Sequence, residues 1–361
     1  MERVVTLSRM RMRSVDNSDS WPHRHCVSHE ETSSPDMGPV SEVFRMNVHR
    51  RFLWFIAAMA VVLGVATTPH QALAQDKVAT TGMQFLEIGV SARADGMGGG
   101  FTAIADDASA VYYNPAGMVQ LENSQVMLSY IDYPVDITYS FVGAVLPLRA
   151  GGHLGFGYFG LDAGDIPRTT YSFPYGDGTT FGAKNYALSV SYARFLTDRF
   201  SVGVTFKLVD ELLETERASG WAMDVGTIYN TGFRNFKITM IIANFGPNLR
   251  HIEEDFPLPI DFRFGGAMDI IDQEQHRAVL AVEGSHPSDN RERYTTGIEY
   301  IFSEFATFRI GNRFERDLGG LSLGGGIGFD LSEKVRARFD YAYQDFDELD
   351  NIQRFAMTLD F

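Results

Sequence analysis

Residues 334–344 read KVRARFDYAYQ. Val335, Ala337, Phe339, Tyr341 and Tyr343 alternate with Lys334, Arg336, Arg338, Asp340 and Ala342. A period of two sets the first group on one face of a β-strand and the second on the other. The same alternation recurs at the chain's end, where Phe355, Met357, Leu359 and Phe361 interleave with Arg354, Ala356, Thr358 and Asp360. It recurs upstream, where Tyr186, Leu188, Val190 and Tyr192 interleave with Ala187, Ser189 and Ser191. Working outward, the pattern predicts fourteen strands: 124–133, 138–147, 152–161, 183–195, 200–210, 220–229, 235–244, 258–269, 277–285, 292–302, 305–314, 320–330, 334–344 and 352–361.

The connections alternate in character. Leu148–Gly151, Leu196–Arg199, Asn230–Arg234, Ser303–Glu304 and Leu331–Glu333 are short, and Ile270–His276 is a longer member of that set. Between them lie the longer Asp162–Gly182, Glu211–Ser219, Phe245–Pro257 and the acidic Asp345–Asn351. An even strand count with a short-turn end and a long-loop end fits an outer-membrane barrel. A soluble β-sandwich or propeller is the alternative; its polar faces are charged and its strands run nearer six residues. Here most apolar faces carry Phe, Tyr or Trp near the strand ends, and the opposite faces are Gly, Ser, Ala and Thr with scattered charges. That is an aromatic girdle outside and a crowded lumen inside. The prediction is an all-β fold: a 14-stranded antiparallel transmembrane β-barrel over 124–361.

Composition agrees once the two faces are separated. The 361 residues are 45% hydrophobic, 13% aromatic and 21% charged, with 35 Gly and 28 Phe. Their mean hydropathy of −0.11 averages an apolar band with a polar interior. It excludes a polytopic helical membrane protein, and the apolar content excludes disorder. A single Cys excludes a disulfide framework. A net charge of −15 argues against a nucleic-acid partner.

The front of the chain reads as an address. Arg50 and Arg51 precede the uncharged run Phe52–Ala66, Pro69 breaks it, and Ala72-Leu73-Ala74 offers a cleavage site before Gln75. Basic n-region, short h-region and A-x-A site make Met46–Ala74 a cleaved signal peptide; a single membrane anchor needs a longer run. Residues 1–45 are polar and aperiodic and read as a mis-called upstream extension, holding the lone Cys26. Their His23, His25, Cys26 and His29 give a weak metal pattern to which no metal is assigned. Without 1–74 the net charge becomes −16, because that leader has 8 basic and 7 acidic residues.

Residues 75–123 precede the first strand and do not alternate. Residues 85–118 read FLEIGVSARADGMGGGFTAIADDASAVYYNPAGM. Gly96, Gly98, Gly99 and Gly100 permit tight turns. Asp106 or Asp107 is placed to cap a short helix through Val111–Tyr112, and Pro115 stops it. A barrel of this size encloses more space than its own side chains fill, so the segment is expected inside as a hatch.

This segment carries a resemblance. Ala103-Ile104-Ala105-Asp106-Asp107-Ala108 followed by Asn114-Pro115-Ala116 is similar to the N-terminal hatch of FadL-type long-chain fatty-acid transporters. The longer stretch from Ile88 to Met118 resembles the PorV/PorQ family of the same superfamily. The barrel segments 164–170, 186–195, 200–207 and 244–247 agree. FadL-type members imply passive admission of hydrophobic molecules by hatch movement. PorV-type members imply a role in type IX secretion, with cargo or a translocon as partner. The resemblance makes Asp106, Asp107, Asn114 and Pro115 hatch elements, either gating or simply anchoring the plug. A terminal Phe361 on an alternating strand resembles the signal read by the outer-membrane barrel insertion machinery.

Chemistry is sparse elsewhere. Gly320-Leu321-Ser322-Leu323-Gly324 fits G-x-S-x-G, but the nucleophile elbow needs a strand-to-helix turn and this lies within a strand. Gly96-x-Gly98 lacks the third glycine of a dinucleotide fingerprint, with Phe101 in its place. His153, His251, His276 and His286 are scattered, so a hydrolase has no supporting motif. Asp345, Asp347, Glu348 and Asp350 crowd one loop and offer oxygens to Ca²⁺, though a solvated acidic loop is the simpler reading. No cofactor is expected.

Parity points Asp224, Glu299, Arg309, Arg313, Arg336, Arg338 and Asp340 into the lumen. Buried charges need partners, so ion pairs to one another or to the hatch are expected; an Arg cluster for a substrate carboxylate is the functional alternative. Gly155 and Gly157 in the third strand mark either a kink that opens the wall sideways or close packing against the hatch. The lead expectation is a non-enzymatic outer-membrane barrel of a Gram-negative-type bacterium, surrounded by outer-membrane lipid. It would pass or bind a hydrophobic small molecule. The alternative is a barrel that docks secretion cargo or a translocon.

Overall fold

A computed structural model describes residues 80–148, 151–251, 253–314, 320–346 and 351–361. The expected upstream extension, the signal peptide and most of the acidic loop (347–350) lie outside these. Fourteen strands close into one antiparallel barrel. They are β1 (Gln125–Asp132), β2 (Thr138–Leu148), β3 (Gly152–Pro167), β4 (Thr180–Thr197), β5 (Phe200–Leu213), β6 (Glu216–Asn230) and β7 (Lys237–Phe245). Then, after a small hairpin of β8 (Leu249–His251) and β9 (Glu254–Phe256), come β10 (Asp261–Gln273), β11 (His276–Pro287), β12 (Arg293–Phe302), β13 (Ala306–Phe314), β14 (Leu321–Ser332), β15 (Val335–Gln344) and β16 (Ile352–Asp360). Each barrel strand pairs with the next, β7 with β10 across the separate β8–β9 sheet, and β1 closes the ring against β16. The two ends of the sheet meet where Ser124 and Phe361 exchange backbone hydrogen bonds of 3.1 and 2.9 Å.

Alternation sorts the side chains as parity requires. Leu188 and Val190 are half exposed on the outer wall, while Ala187, Ser189 and Ser191 between them are buried toward the lumen. Closure removes every sheet edge, so no barrel-strand backbone needs water at membrane depth.

Three expected connections are shortened because strand runs into them. Most of Glu211–Ser219 belongs to β5 and β6, which pair as far as Leu213 and Glu216. β3 and β4 likewise run on to Pro167 and Thr180, past a register shift between Asp162 and Asp165. Beyond the bilayer there is no lipid to demand an apolar face, so the alternation fades while the backbone ladder continues. At the other end Ile270–His276 is also mostly strand, with a bulge between Asp269 and Ile271 that blurs its period. The β8–β9 hairpin inside Phe245–Pro257 was not expected at all; it is three residues per strand, too short to show a period.

The lumen is filled by the segment before β1. It is two helical turns, Ala92–Gly96 and Ala110–Tyr113, and two 3₁₀ turns, Gln84–Glu87 and Pro115–Gln120, joined by tight bends. Nearly every residue from Val90 to Leu121 is buried. The segment passes from one barrel mouth to the other. At the long-loop end the Gly82 amide donates to the Pro257 carbonyl at 3.0 Å, and Thr81 donates to Asp289 at 2.6 Å. At the short-turn end Leu121 leads into β1.

Candidate functional site

The hatch meets the wall in two different ways. Toward β2–β5 the contact is apolar and close. Val111 and Met118 sit against Gly155, where an added Cβ would lie 2.6 Å from Val111 and 2.5 Å from the Met118 sulfur. Tyr112 packs on Phe159 with ring centroids 5.6 Å apart, and Phe159 stacks on Phe141 at 5.4 Å. A side chain on Gly203 would overlap the Pro115 backbone, and one on Gly143 would reach within 2.9 Å of the Ala108 carbonyl. Gly143, Gly155 and Gly203 stand where the hatch lies directly against the wall.

Toward β12–β16 the hatch backbone also lies close, with Met97 against Gly297 and Gly311, and ion pairs are added. Arg93, on the first helical turn, forks onto Glu299 of β12 with two hydrogen bonds of 2.8 Å. Glu299 also accepts from Arg309 of β13 at 2.8 Å, and Arg309 pairs with Asp340 of β15 at 2.7 Å. Asp340 takes Arg338 at 2.7 Å, Arg338 takes Asp107 of the hatch at 3.1 Å, and Asp107 returns to Arg93 at 3.1 Å. Six groups of alternating sign thus form a closed ring, two from the hatch and four from the wall. Asp106 adds a branch to Arg93 at 2.5 Å. Each ring member has two opposite partners, which is what offsets the cost of burying charges. Gly326 makes room for the ring, since a Cβ there would overlap Asp340.

A second knot lies beside it. Asp95 of the hatch pairs with Arg313 of β13 and, at 3.1 Å, with Arg354 of β16. Arg313 also donates to the Gly98 carbonyl. Gly98 and Gly99 hold φ of 74° and 90°, a left-handed pair that turns the chain back from the helix. Gly96 rests against Gly324. Beneath the ring a polar cavity of about 430 Å³ opens at the short-turn end, with Arg93, Arg309 and Arg338 in its lining.

The expected hatch residues therefore divide by role. Asp106 and Asp107 are ionic contacts to Arg93. Asp107 also accepts from the Ser109 amide at 3.0 Å, just ahead of the Ala110–Tyr113 turn. Asn114 accepts from the Ala116 amide at 3.1 Å and donates to Thr102 and Thr239, and Pro115 opens the 3₁₀ turn that follows.

Of the expected lumen charges, Glu299, Arg309, Arg338 and Asp340 are in the ring and Arg313 is beside it. Asp224 stands apart on β6, paired with the buried Lys207 at 2.7 Å and accepting from the Asn244 amide. Arg336 is at the rim, paired with Glu304 at 2.9 Å. The wall is continuous at Gly155 and Gly157, which pair with Val145 and Gly143 on one side and Ser191 and Ser189 on the other. The wall is closed here, and a Cβ on either glycine would meet a close neighbour, Met118 at Gly155 and Ser189 at Gly157. Ser322 of the G-x-S-x-G stretch is buried inside β14. Among the described residues no group of His, Cys, Asp or Glu is placed to hold a metal.

Arg93, Asp95, Lys207 and Arg354 were missed. Arg354 and Lys207 were accessible to parity, since Phe355 and Phe206 beside them face outward. Arg93 and Asp95 sit on a helical turn to which strand parity does not apply.

A family model described as "Type IX secretion system protein PorV" matches residues 71–286. The chain belongs to the PorV family. Among solved structures the PorV-family barrel is similar to the "CymD monoaromatic hydrocarbon channel", with a TM-score of 0.54 and 15% identity over 75% of this chain and 96% of that one. It is similar to the Ralstonia pickettii toluene transporter TbuX, at 0.51 and 15% over 75% and 97%. It is also similar to a Pseudomonas aeruginosa FadL homologue, at 0.51 and 13% over 75% and 98%. At these identities the likeness is one of fold, a closed antiparallel β-barrel. A search of curated proteins returns no match.

Proposed function

We propose that this protein admits or binds hydrophobic small molecules, such as long-chain fatty acids, across the outer membrane, and that the hatch gates the path. The observation that carries this reading is the composition of the seal. One flank of the hatch is aromatic and aliphatic, with Phe159 in contact with both Tyr112 and Phe141, and offers an apolar solute a compatible surface. The other is held by ion pairs beside a polar cavity, where separated charges regain water. The neighbours CymD and TbuX, named as a hydrocarbon channel and a toluene transporter, support the solute class. The sequence has no nucleotide-binding motif, so transport runs downhill, and no enzymatic step is assigned.

Export through cleavage after Ala74, and recognition of Phe361 by the barrel insertion machinery, belong to the same reading. Phe361 is half exposed beside the barrel seam, where another protein has access to it.

The test is uptake of labelled oleate by cells that lack their own channel. Cells carrying the protein should exceed the empty-vector rate, and Arg93→Met should be faster still because it loosens the ionic flank. Rates at the vector level for both proteins would sink the proposal.

A second reading has its own support. The matched family is described by its part in type IX secretion, and β3 and β4, of 16 and 18 residues, exceed the roughly 9–11 residues a strand needs to cross a bilayer. In that reading the barrel docks cargo or a translocon at its long-loop end. Cross-linking in native membranes tests it: secretion components recovered at the 168–179 loop favour docking, and their absence there counts against it.

A further inference from the structure

The outer wall carries an apolar groove that neither the hatch nor gating explains. It crosses β13, β14, β15, β16 and β1 at the barrel seam and encloses about 710 Å³. Across hydrogen-bonded neighbours, Phe308, Gly325, Tyr341, Phe355 and Tyr130 form one row on the lipid side. Every member but Gly325 is aromatic. The next row toward the short-turn end includes Ile327, Phe339 and Met357, so the notch above Gly325 is walled on all sides by large apolar groups.

Among the described residues nothing inside the protein requires glycine at this position. A Cβ on Gly325 would come no closer than 3.7 Å to the Thr307 carbonyl. The flanking glycines are different: Gly324 admits Gly96 of the hatch, and Gly326 admits the Asp340 carboxylate. Gly325 faces outward and leaves a space that the surrounding rings do not close.

The occupant follows from the location. The groove is continuous with the lipid-facing band, so the bilayer is its established neighbour. Water does not fill an apolar recess at membrane depth, and an empty recess forfeits dispersion contacts with its lining. Hydrocarbon remains. The groove borders Phe305, in the turn between β12 and β13 at the short-turn end, which is the periplasmic side of an outer-membrane barrel. We propose that it is a binding site for one acyl chain of a periplasmic-leaflet phospholipid, seated over Gly325 between Phe308 and Tyr341. Rings on both sides hold this chain longer than the chains that line the rest of the wall.

The test uses the full barrel purified in detergent, with palmitoyl-oleoyl phosphatidylethanolamine as probe and native mass spectrometry as readout. Wild type should keep one phospholipid through dilution into lipid-free detergent. Gly325→Leu fills the notch from the lipid side without touching the hatch. It should keep about tenfold less, the loss that follows from about 1.4 kcal/mol of chain contact. Val225→Leu adds bulk at an exposed position on β6, six strands away around the ring, and should retain lipid as wild type does. Heat-modifiable migration on gels checks that all three barrels are folded. Equal retention by wild type and Gly325→Leu overturns the proposal, as does retention by neither. Recovery of a protein on the wild-type groove in place of lipid overturns it too.

Discussion

Both flanks of the hatch rest on wall glycines, Gly203 on one side and Gly297 and Gly311 on the other, but they differ in what the side chains add. Against β2–β5 the wall supplies glycines and the hatch supplies Val111, Tyr112 and Met118. Against β12–β16 the wall supplies Glu299, Arg309, Arg338 and Asp340, and the hatch supplies Arg93 and Asp107. Apolar contact depends on shape and is nearly indifferent to small rotations. Ion pairs demand direction, so the ring fixes the register of the hatch inside the barrel. The flanks also differ in what happens on separation. Parting the apolar flank exposes rings to water, whereas parting the ionic flank delivers charges to a polar cavity already beside them. The fit is therefore held by one side and the position by the other, and the ionic side is the easier one to release.

Breaking the ring at its hatch end should give the largest effect. Arg93→Met takes one of two cations from Glu299 and Asp107 and the ion-pair partner from Asp106, and breaking a buried pair costs about 3–5 kcal/mol. The hatch should detach while the barrel persists. Limited proteolysis reads this as cleavage within 95–110 in a barrel that still shows heat-modifiable migration. Arg93→Lys keeps the charge but not the two-pronged contact with Glu299, and should fall between wild type and Arg93→Met. Protection unchanged in Arg93→Met would mean that the apolar flank alone holds the hatch.

Crowding the other flank should cost less. Gly155→Val drives methyls into Met118 and Val111, and overpacking of this kind costs about 1–3 kcal/mol. Thermal denaturation should show the loss, and adding Met118→Ala should restore part of it by clearing the collision. The same variant addresses the sideways exit expected at Gly155. Should oleate uptake fall while hatch protection stays at the wild-type level, the residue matters to the wall's opening more than to packing.

The barrel was legible because period-two alternation is imposed by lipid outside and hatch inside. It failed where one of those partners is missing. The ends of β5 and β6 stand beyond the bilayer, so Glu211–Ser219 read as a loop although its backbone is paired to Leu213. The four wall members of the ring were visible by parity from Phe308, Phe339 and Ile298, their outward neighbours. That they join to one another was not visible, because pairing across strands depends on register, and no local pattern states it. Arg93 was harder. It lies among small residues in a helical turn of only five residues, too short for a period, and its importance comes from three carboxylates, two of them thirteen and fourteen positions on and one on β12. The groove over Gly325 was equally hidden: parity from Leu323 and Ile327 places Gly325 outward, but that its neighbours across four other strands leave a recess depends on register, which no local pattern states.

The smallest effect belongs to a charge that parity also placed in the lumen. Arg336 follows the same alternation as Arg338, yet it lies one step nearer the rim, where its side chain is 35% exposed and its partner Glu304 is 77% exposed. An exposed pair of this kind contributes about 0–1 kcal/mol, and salt at 1 M shortens the reach of its attraction to about 3 Å. Arg336→Ala should therefore shift the melting temperature barely beyond error, and the shift should vanish in 1 M salt. The loss in Arg338→Ala, two residues deeper with Asp107 and Asp340 as partners, should survive the same salt. Equal losses at both positions, equally erased by salt, would show that the ring is as well hydrated as the rim and is no latch.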